Sequence, residues 1–399
     1  MSLLITNASL LEPSTGEITE AAWLEIAAGR ISGTGTGRPP AQPGGVRTLD
    51  VGGATVMPGL IDGHVHVVLT SIDGADAKTW TPGYATLRAM REAERMLRRG
   101  FTTVRDVGGA DYGMVRAIEE GLALGPRIVM GGKALSQTGG HGDFRALSDD
   151  SHVCCQSRPG FARIADGTDA VRAAARDEFR KGAQHLKMLV SGGVASPHDD
   201  IAAVQYSEDE LRAAVEEAAN HGKYVTAHAY HPRAIVRALN AGVRCIEHGN
   251  LIDDEAISLL VEKDAFLVPT LITYDRLAEA GVNPEKLAQV SEAGLSALDR
   301  AHRAGVNLVY GSDLLGDMQE AQLQEFTLRA QVQQPIDIIR AATVNAARLL
   351  GYEGELGTLA VGAHADLLVL EGNPAQNVSV LTDPGRHMRH IIKAGEVLS

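Results

Sequence analysis

An alternation in the middle of this chain constrains its fold more than any other feature. Eight short apolar runs are separated by amphipathic stretches of helical period. The runs cover residues 56–66, 102–107, 127–131, 185–190, 224–229, 244–248, 265–270 and 307–313. Helical stretches such as 85–98, 170–181, 207–221 and 235–240 lie between them. Runs this short and this apolar suit parallel strands covered on both faces by helices. Eight β-α units is the number that closes a barrel. Ser207 ahead of Glu208, Asp209 and Glu210 reads as a helix start, with a capping hydroxyl and acids at the positive end of the dipole. Gly222, Gly242 and Gly305 fall where helices should stop before the next strand.

The two ends read differently. Residues 3–6, 23–27, 30–32 and 48–51 are short strand-like runs punctuated by Gly29, Gly33, Gly35 and Gly37, with 39–45 as a loop. The pattern returns in 365–370, 390–393 and 396–398. The expected fold is α/β: a distorted (β/α)8 TIM barrel over residues 56–350, with a small β-sandwich built from residues 1–55 and 351–399.

Composition narrows the function classes. With 50 acidic against 37 basic residues the net charge is -13, which repels nucleic acid and anionic membrane at long range. It does not disfavour a small anionic substrate, whose binding depends on local charge. Three cysteines, Cys154, Cys155 and Cys245, are too few for a disulfide framework and suit a reducing cytoplasm. Vicinal Cys154 and Cys155 read as ordinary loop thiols. The first residues lack the basic region of a signal peptide, and no apolar run approaches the roughly 20 residues that span a bilayer. A cytoplasmic protein is expected.

The unusual polar residues sit at the carboxyl ends of the apolar runs, where barrel active sites assemble. His64 and His66 end the first run, and residues two apart on a strand point the same way. Lys187 lies in the fourth run, His228 in the fifth, His248 ends the sixth and Asp313 the eighth. Any one of them could be a hydrogen-bonded structural residue. Together, buried imidazoles, a lysine and a carboxylate at one mouth need an organising ion. Lys187 faces away from its apolar neighbours Leu186 and Met188. An ammonium cannot ligate a cation, but a neutral amine can add carbon dioxide to give a carbamate with two ligating oxygens. Burial and nearby metal charge favour that neutral amine.

These motifs together resemble the amidohydrolase superfamily, in the branch of imidazolonepropionase-like proteins and metal-dependent Xaa-Pro (prolidase-like) dipeptidases. The resemblance covers nearly the whole chain. It runs through Pro58-Gly59-Leu60-Ile61-Asp62-Gly63-His64-Val65-His66, Thr226-Ala227-His228-Ala229-Tyr230, Glu247-His248-Gly249 and Gly311-Ser312-Asp313. It continues in Ala342-Thr343-Val344-Asn345-Ala346-Ala347 and Gly362-Ala363-His364-Ala365-Asp366-Leu367. The resemblance implies two divalent ions, zinc or similar. One would lie at His64, His66, Lys187 and Asp313, and the other at an N6-carboxylated Lys187, His228 and His248. The expected nucleophile is a hydroxide bridging the ions, with Asp313 as general base then acid. By resemblance to the dipeptidase branch, Tyr230 and His141 are the candidate donors to the oxyanion. Homo-oligomers are common among such relatives.

Other polar residues carry less. Arg105 and Asp106, ending the second run, read as site-supporting or substrate groups or as an internal ion pair. Gly192-Gly193-Val194-Ala195-Ser196 could line a pocket, and nothing makes His198 or His231 a ligand. A deaminase would carry a glutamate shortly after the fifth-strand histidine, but His228 is followed by Ala229-Tyr230-His231. The expected reaction is therefore cleavage of an amide C–N bond in a dipeptide or N-acyl amino acid. The alternative substrates are aryl amides, phenylureas or carbamates. A mononuclear deaminase or a non-catalytic scaffold fits less well, since every expected ligand type is present.

Overall fold

The computed structural model of the chain describes residues 2–40, 45–72, 77, 79–149, 161–196 and 198–398. Cys154, Cys155 and part of the expected loop 39–45 lie outside the described residues. The first strands are β1 (Ser2–Leu11), β2 (Ile18–Ala27), β3 (Arg30–Thr36), β4 (Arg47–Asp50) and β5 (Thr55–Pro58). Next come β6 (Leu60–Val65), β7 (Phe101–Asp106) and β8 (Arg127–Met130). Then follow β9 (Ala134–Ser136), β10 (Ala162–Ile164), β11 (Leu186–Leu189) and β12 (Val225–Ala229). The series continues with β13 (Cys245–His248), β14 (Phe266–Val268) and β15 (Asn307–Leu308). It closes with β16 (Leu367–Leu370), β17 (Met388–Lys393) and β18 (Glu396–Val397).

The two chain ends share one mixed sheet in the order β18-β17-β16-β5-β1-β2-β3, with β4 on β1. The expected sandwich is thus a single continuous hydrogen-bonded sheet. β1 explains this: residues 3–6 pair with β4, and after register shifts residues 9–10 pair with β5. Leu3, Ile5, Leu24, Ile26, Val56, Leu367 and Val369 pack into its core, the period of two expected of strands.

The single run expected at 56–66 is split at Pro58–Gly59. β5 joins the end sheet, and β6 opens the parallel sheet β6-β7-β8. A Cβ on Gly59 would lie 2.1 Å from Thr102 Oγ1, so only glycine permits this crossing. A second parallel sheet runs β10-β9-β11-β12-β13-β14-β15. The third run crosses from one sheet to the other. It bends after Met130 at Gly131 and Gly132 (φ +67), and β9 then pairs beside β11. Hydrogen bonds pass from both sides of the three-stranded sheet to segments flanking β11 and β15: Gln184 N to Met130 O (2.8 Å), Gly63 N to Tyr310 O (2.7 Å) and Asp313 N to His64 O (2.9 Å).

Two expected strands are cut short. The ladder of β14 stops at Val268, just ahead of left-handed Thr270 (φ 49), and that of β15 stops at Leu308, well ahead of left-handed Asp313 (φ 50). Helices cover the outer faces. Leu186 and Met188 of β11 pack in one cluster with Val171 and Ala175 of the helix Thr168–Arg180 and with Leu211 and Ala214 of the helix Glu208–Asn220. The latter helix begins in the expected way, with a capping box between Ser207 and Glu210. Lys187, between Leu186 and Met188, takes the inner face.

Candidate active site

The inner ends of β6, β11, β12 and β13, and the turn after β15, converge on one cavity. It is partly enclosed and opens to solvent. His64, His66, His141, Lys187, His228, Tyr230, His248 and Asp313 all line it, so every site residue expected from the sequence is brought together. Leu69, Ala134, Phe144, Phe161 and Leu189 also line it.

Proton bookkeeping defines the chemistry. His64 Nδ1 lies 2.8 Å from Glu247 Oε2, and His66 Nδ1 lies 2.8 Å from the Gly108 carbonyl. Both acceptors require the ring proton on Nδ1, which leaves Nε2 bare in the neutral rings. Those two Nε2 atoms stand 3.3 and 3.4 Å from the same oxygen, Asp313 Oδ1. His64 Nε2 is buried without a hydrogen-bond partner. Three lone-pair donors facing one another in a buried site are the arrangement a cation resolves. The candidate ligand atoms of His64, His66 and Asp313 lie within 4.8 Å of one another.

The second half of the site is read the same way. His228 gives its Nε2 proton to Gly192 O at 3.1 Å, leaving Nδ1 bare. His248 Nδ1 lies 2.7 Å from Thr270 Oγ1, and the His228 and His248 rings are 4.6 Å apart. His248 (φ 76), Thr270 and Asp313 all hold left-handed backbone, which is unusual for non-glycine residues and costly for a β-branched threonine. Burial holds His228 and His248 well below the usual imidazole range, so both rings stay neutral. Burial also pushes the Lys187 ammonium down to about 8, against the pull of Glu247 and Asp313. For Asp313, burial favours the neutral acid, but in the metal-free site a proton on His64, drawn there against burial by the Asp313 and Glu247 carboxylates, outweighs it and holds the carboxyl well below its usual range; a cation on the imidazole nitrogens would take that proton's place.

Support beneath these side chains comes partly from residues the sequence did not single out. Glu247 sits fully buried between His64 and Arg105, whose Nη2 donates to it at 2.6 Å. Burial would raise its carboxyl, but Arg105, Lys187 and His64 hold it well below the usual range. Arg105 therefore pairs with Glu247 and not with Asp106. Asp106 instead accepts from Val67 N (2.8 Å), Gly108 N (3.1 Å) and Ala110 N (3.0 Å), fixing the turn whose carbonyl holds His66. Asp62 ties the His64 and Asp313 segments together, accepting from His64 N at 2.9 Å and from Ser312 Oγ at 2.6 Å.

Tyr230 packs 5.2 Å from the His248 ring, and its hydroxyl is 3.3 Å from that of Tyr274. His141 stacks on His228 at 4.3 Å, and burial lowers its pKa to about 4. His231 caps the helix Pro232–Asn240 by accepting from Arg233 N, and His198 is exposed; neither lines the cavity. Val194 and Ala195 of the Gly192–Ser196 segment do line it.

This geometry agrees with what the chain is similar to. The profile of the Amidohydrolase family matches residues 55–398. Ochratoxinase of Aspergillus niger is 34% identical over 366 residues, covering 86% of this chain and 75% of that protein. A prolidase crystallised with N-methylphosphonate-L-proline superposes with a TM-score of 0.96 at 45% identity, covering 100% of both chains. A Xaa-Pro dipeptidase with bound methionine gives 0.90 at 29% identity, again over 100% of both. Such neighbours imply a (β/α)8 barrel with an extra domain, consistent with the parallel sheets and helices described above. The chain belongs to the amidohydrolase family, in its prolidase-like branch, and is a hydrolase of carbon–nitrogen bonds.

Proposed function

We propose that this chain is a binuclear metal-dependent amidohydrolase that cleaves the amide bond of a dipeptide or an N-acyl amino acid. The observation that carries the reading is the pair of imidazole Nε2 atoms, on His64 and His66, facing one carboxylate oxygen of Asp313. One divalent ion, zinc or similar, would be held by His64, His66, Lys187 and Asp313, and a second by Lys187, His228 and His248. Lys187 would serve both as a carbamate, formed when its neutral amine adds carbon dioxide and releases a proton. Its burial beside Asp313 and the histidines supports that role. When bound, the ions supply a lowered pKa for water and a polarised substrate carbonyl.

The protein's own groups do the rest. Asp313 would take the proton of the attacking water and pass it to the leaving amine. Tyr230 would offer its hydroxyl to the developing oxyanion, and His141 would face the substrate beside it. Leu69, Phe144, Phe161 and Leu189 would exclude water and seat the apolar part of the substrate. We read the two parallel sheets as one distorted barrel over 56–350, with 1–55 and 351–399 as the accessory β domain. The hydrogen bonds that join the two sheets support this.

A second reading is hydrolysis of an aryl amide, phenylurea or carbamate. The likeness to ochratoxinase and the Phe144–Phe161 ring pair, 6.2 Å apart in the cavity wall, favour it. The test is a hydrolysis screen of metal-replete protein on dipeptides, N-acyl amino acids, aryl amides and aryl ureas. A dipeptidase should lose activity when the terminal carboxylate of the substrate is blocked, whereas an aryl amide or urea hydrolase should be indifferent. Amine release from none of these substrates would overturn both readings.

A further inference from the structure

Behind His141 lies a closed set of hydrogen bonds that the hydrolase reading leaves unused. Buried Asp199 accepts at Oδ2 from Gly193 N and Gln205 Nε2, both at 3.1 Å. At Oδ1 it meets Lys286 Nζ (3.1 Å) and the Ser196 hydroxyl. Lys286 also donates to the carbonyls of Gly193 (3.0 Å) and Ser196 (2.8 Å), so its three protons are all placed. Gln205 Oε1 in turn accepts from the backbone N–H of His141 at 3.0 Å.

The only proton of Ser196 decides the state of the histidine. Three acceptors lie within reach of that proton, Asp199 Oδ1, Gly193 O at 3.0 Å and His141 Nδ1 at 2.8 Å, and the charged carboxylate, in the tightest contact, is the strongest of them. With the proton given to Asp199, none is left for His141. The 2.8 Å contact between His141 Nδ1 and Ser196 Oγ must then be made by a proton on Nδ1. The ring cannot easily turn over. It lies flat on His228, with an interplanar angle of 18°, and a Cβ on Gly193 would come within 2.0 Å of its Cε1. Among the described residues no hydrogen-bond partner meets its Nε2, and the ring lines the cavity.

We propose that Ser196 and Asp199 are positioning residues that lock His141 in the Nδ1–H form, so that a bare Nε2 faces the cavity as an acceptor for a substrate N–H. The oxyanion is then left to the Tyr230 hydroxyl. That the N–H belongs to an amide substrate rests on the proposed function; the form of the ring does not.

Nitrogen-15 spectra of the uniformly labelled, metal-loaded enzyme test this directly, with the His141 signals assigned by their loss in His141→Gln. The expected result is a protonated Nδ1 and an unprotonated Nε2. A proton on Nε2, with or without one on Nδ1, overturns the proposal. This spectrum decides the question even if the protein hydrolyses none of the amides screened. In a companion assay, Ser196→Ala should keep its metal content but lose about tenfold or more in kcat, the scale on which outer partners of a site histidine act. Ser196→Thr should restore it. An alanine variant with wild-type kcat and an unchanged His141 spectrum would count against the positioning role, and a variant that fails to fold leaves the wild-type spectrum to decide.

Discussion

Glu247 accepts the Nδ1 proton of His64 at 2.8 Å, and both side chains are fully buried. The same carboxylate binds Arg105 at 2.6 Å and the Thr226 hydroxyl, so the orientation of the His64 imidazole is set by an ion pair in the interior.

Glu247→Gln should therefore act twice. It leaves the Arg105 guanidinium buried without its counter-charge, a loss of about 3–5 kcal/mol when a buried pair is broken. It also frees the His64 ring, which should weaken metal binding by roughly 10–100-fold. Denaturant unfolding of the metal-free protein reads the first effect and metal titration the second. Wild-type values in both would remove Glu247 from this role.

Thr270 offers a cleaner separation of hydroxyl from shape. Thr270→Val removes the partner of His248 Nδ1 and should lower metal affinity by roughly 10–100-fold, whereas Thr270→Ser should retain it. Metal titration of both variants decides, and equal affinities would show that the hydroxyl does not hold the ring.

His185 should shape the acid limb of stability. It is fully buried, neither ring nitrogen has a hydrogen-bond partner among the described residues, and burial holds its pKa well below 6.5. The unfolded ring takes up a proton near 6.5 while the folded one does not, so this contribution to stability is full above about pH 6.5 and is lost as the pH falls below it. His185→Phe should remove that slope and gain about 1–3 kcal/mol relative to wild type at pH 5. Urea midpoints at pH 5 and 7.5 measure it; identical pH slopes would refute the assignment.

Asp313→Asn should abolish turnover while the fold survives, because proton transfer is lost and packing is not; near-normal turnover would remove Asp313 from catalysis. Lys187→Ala should lose one or both metals, with partial rescue of activity by a short carboxylic acid. If the lysine variant still binds two ions with wild-type affinity, the carbamate has no role.

Much of this site was legible in the sequence. His64 and His66 share a face because they are two apart, and Lys187 stands out because Leu186 and Met188 take the helix-covered side. Glu247 stayed hidden for a physical reason. Neighbours on a regular strand point to opposite faces, so an inward His248 implies an outward Glu247. The left-handed backbone at His248 (φ 76) breaks that rule, and both side chains turn inward. Ser196 was named only within a segment that could line a pocket, and Asp199 not at all, because the contact to His141 spans 55 residues and depends on how two loops fold together. The split at Gly59 and the bend at Gly131 depend on close approaches by Thr102 and His185, which no local pattern reveals.

The bend at Gly131–Gly132 has a mechanical consequence. His64 lies on the three-stranded sheet with His66 just past its end, while Lys187, His228 and His248 lie on or beside the seven-stranded one. A cation gripped from both sides would rivet the two halves across their seams. Chelation should therefore loosen the protein as a whole, lowering its melting temperature as well as silencing its chemistry.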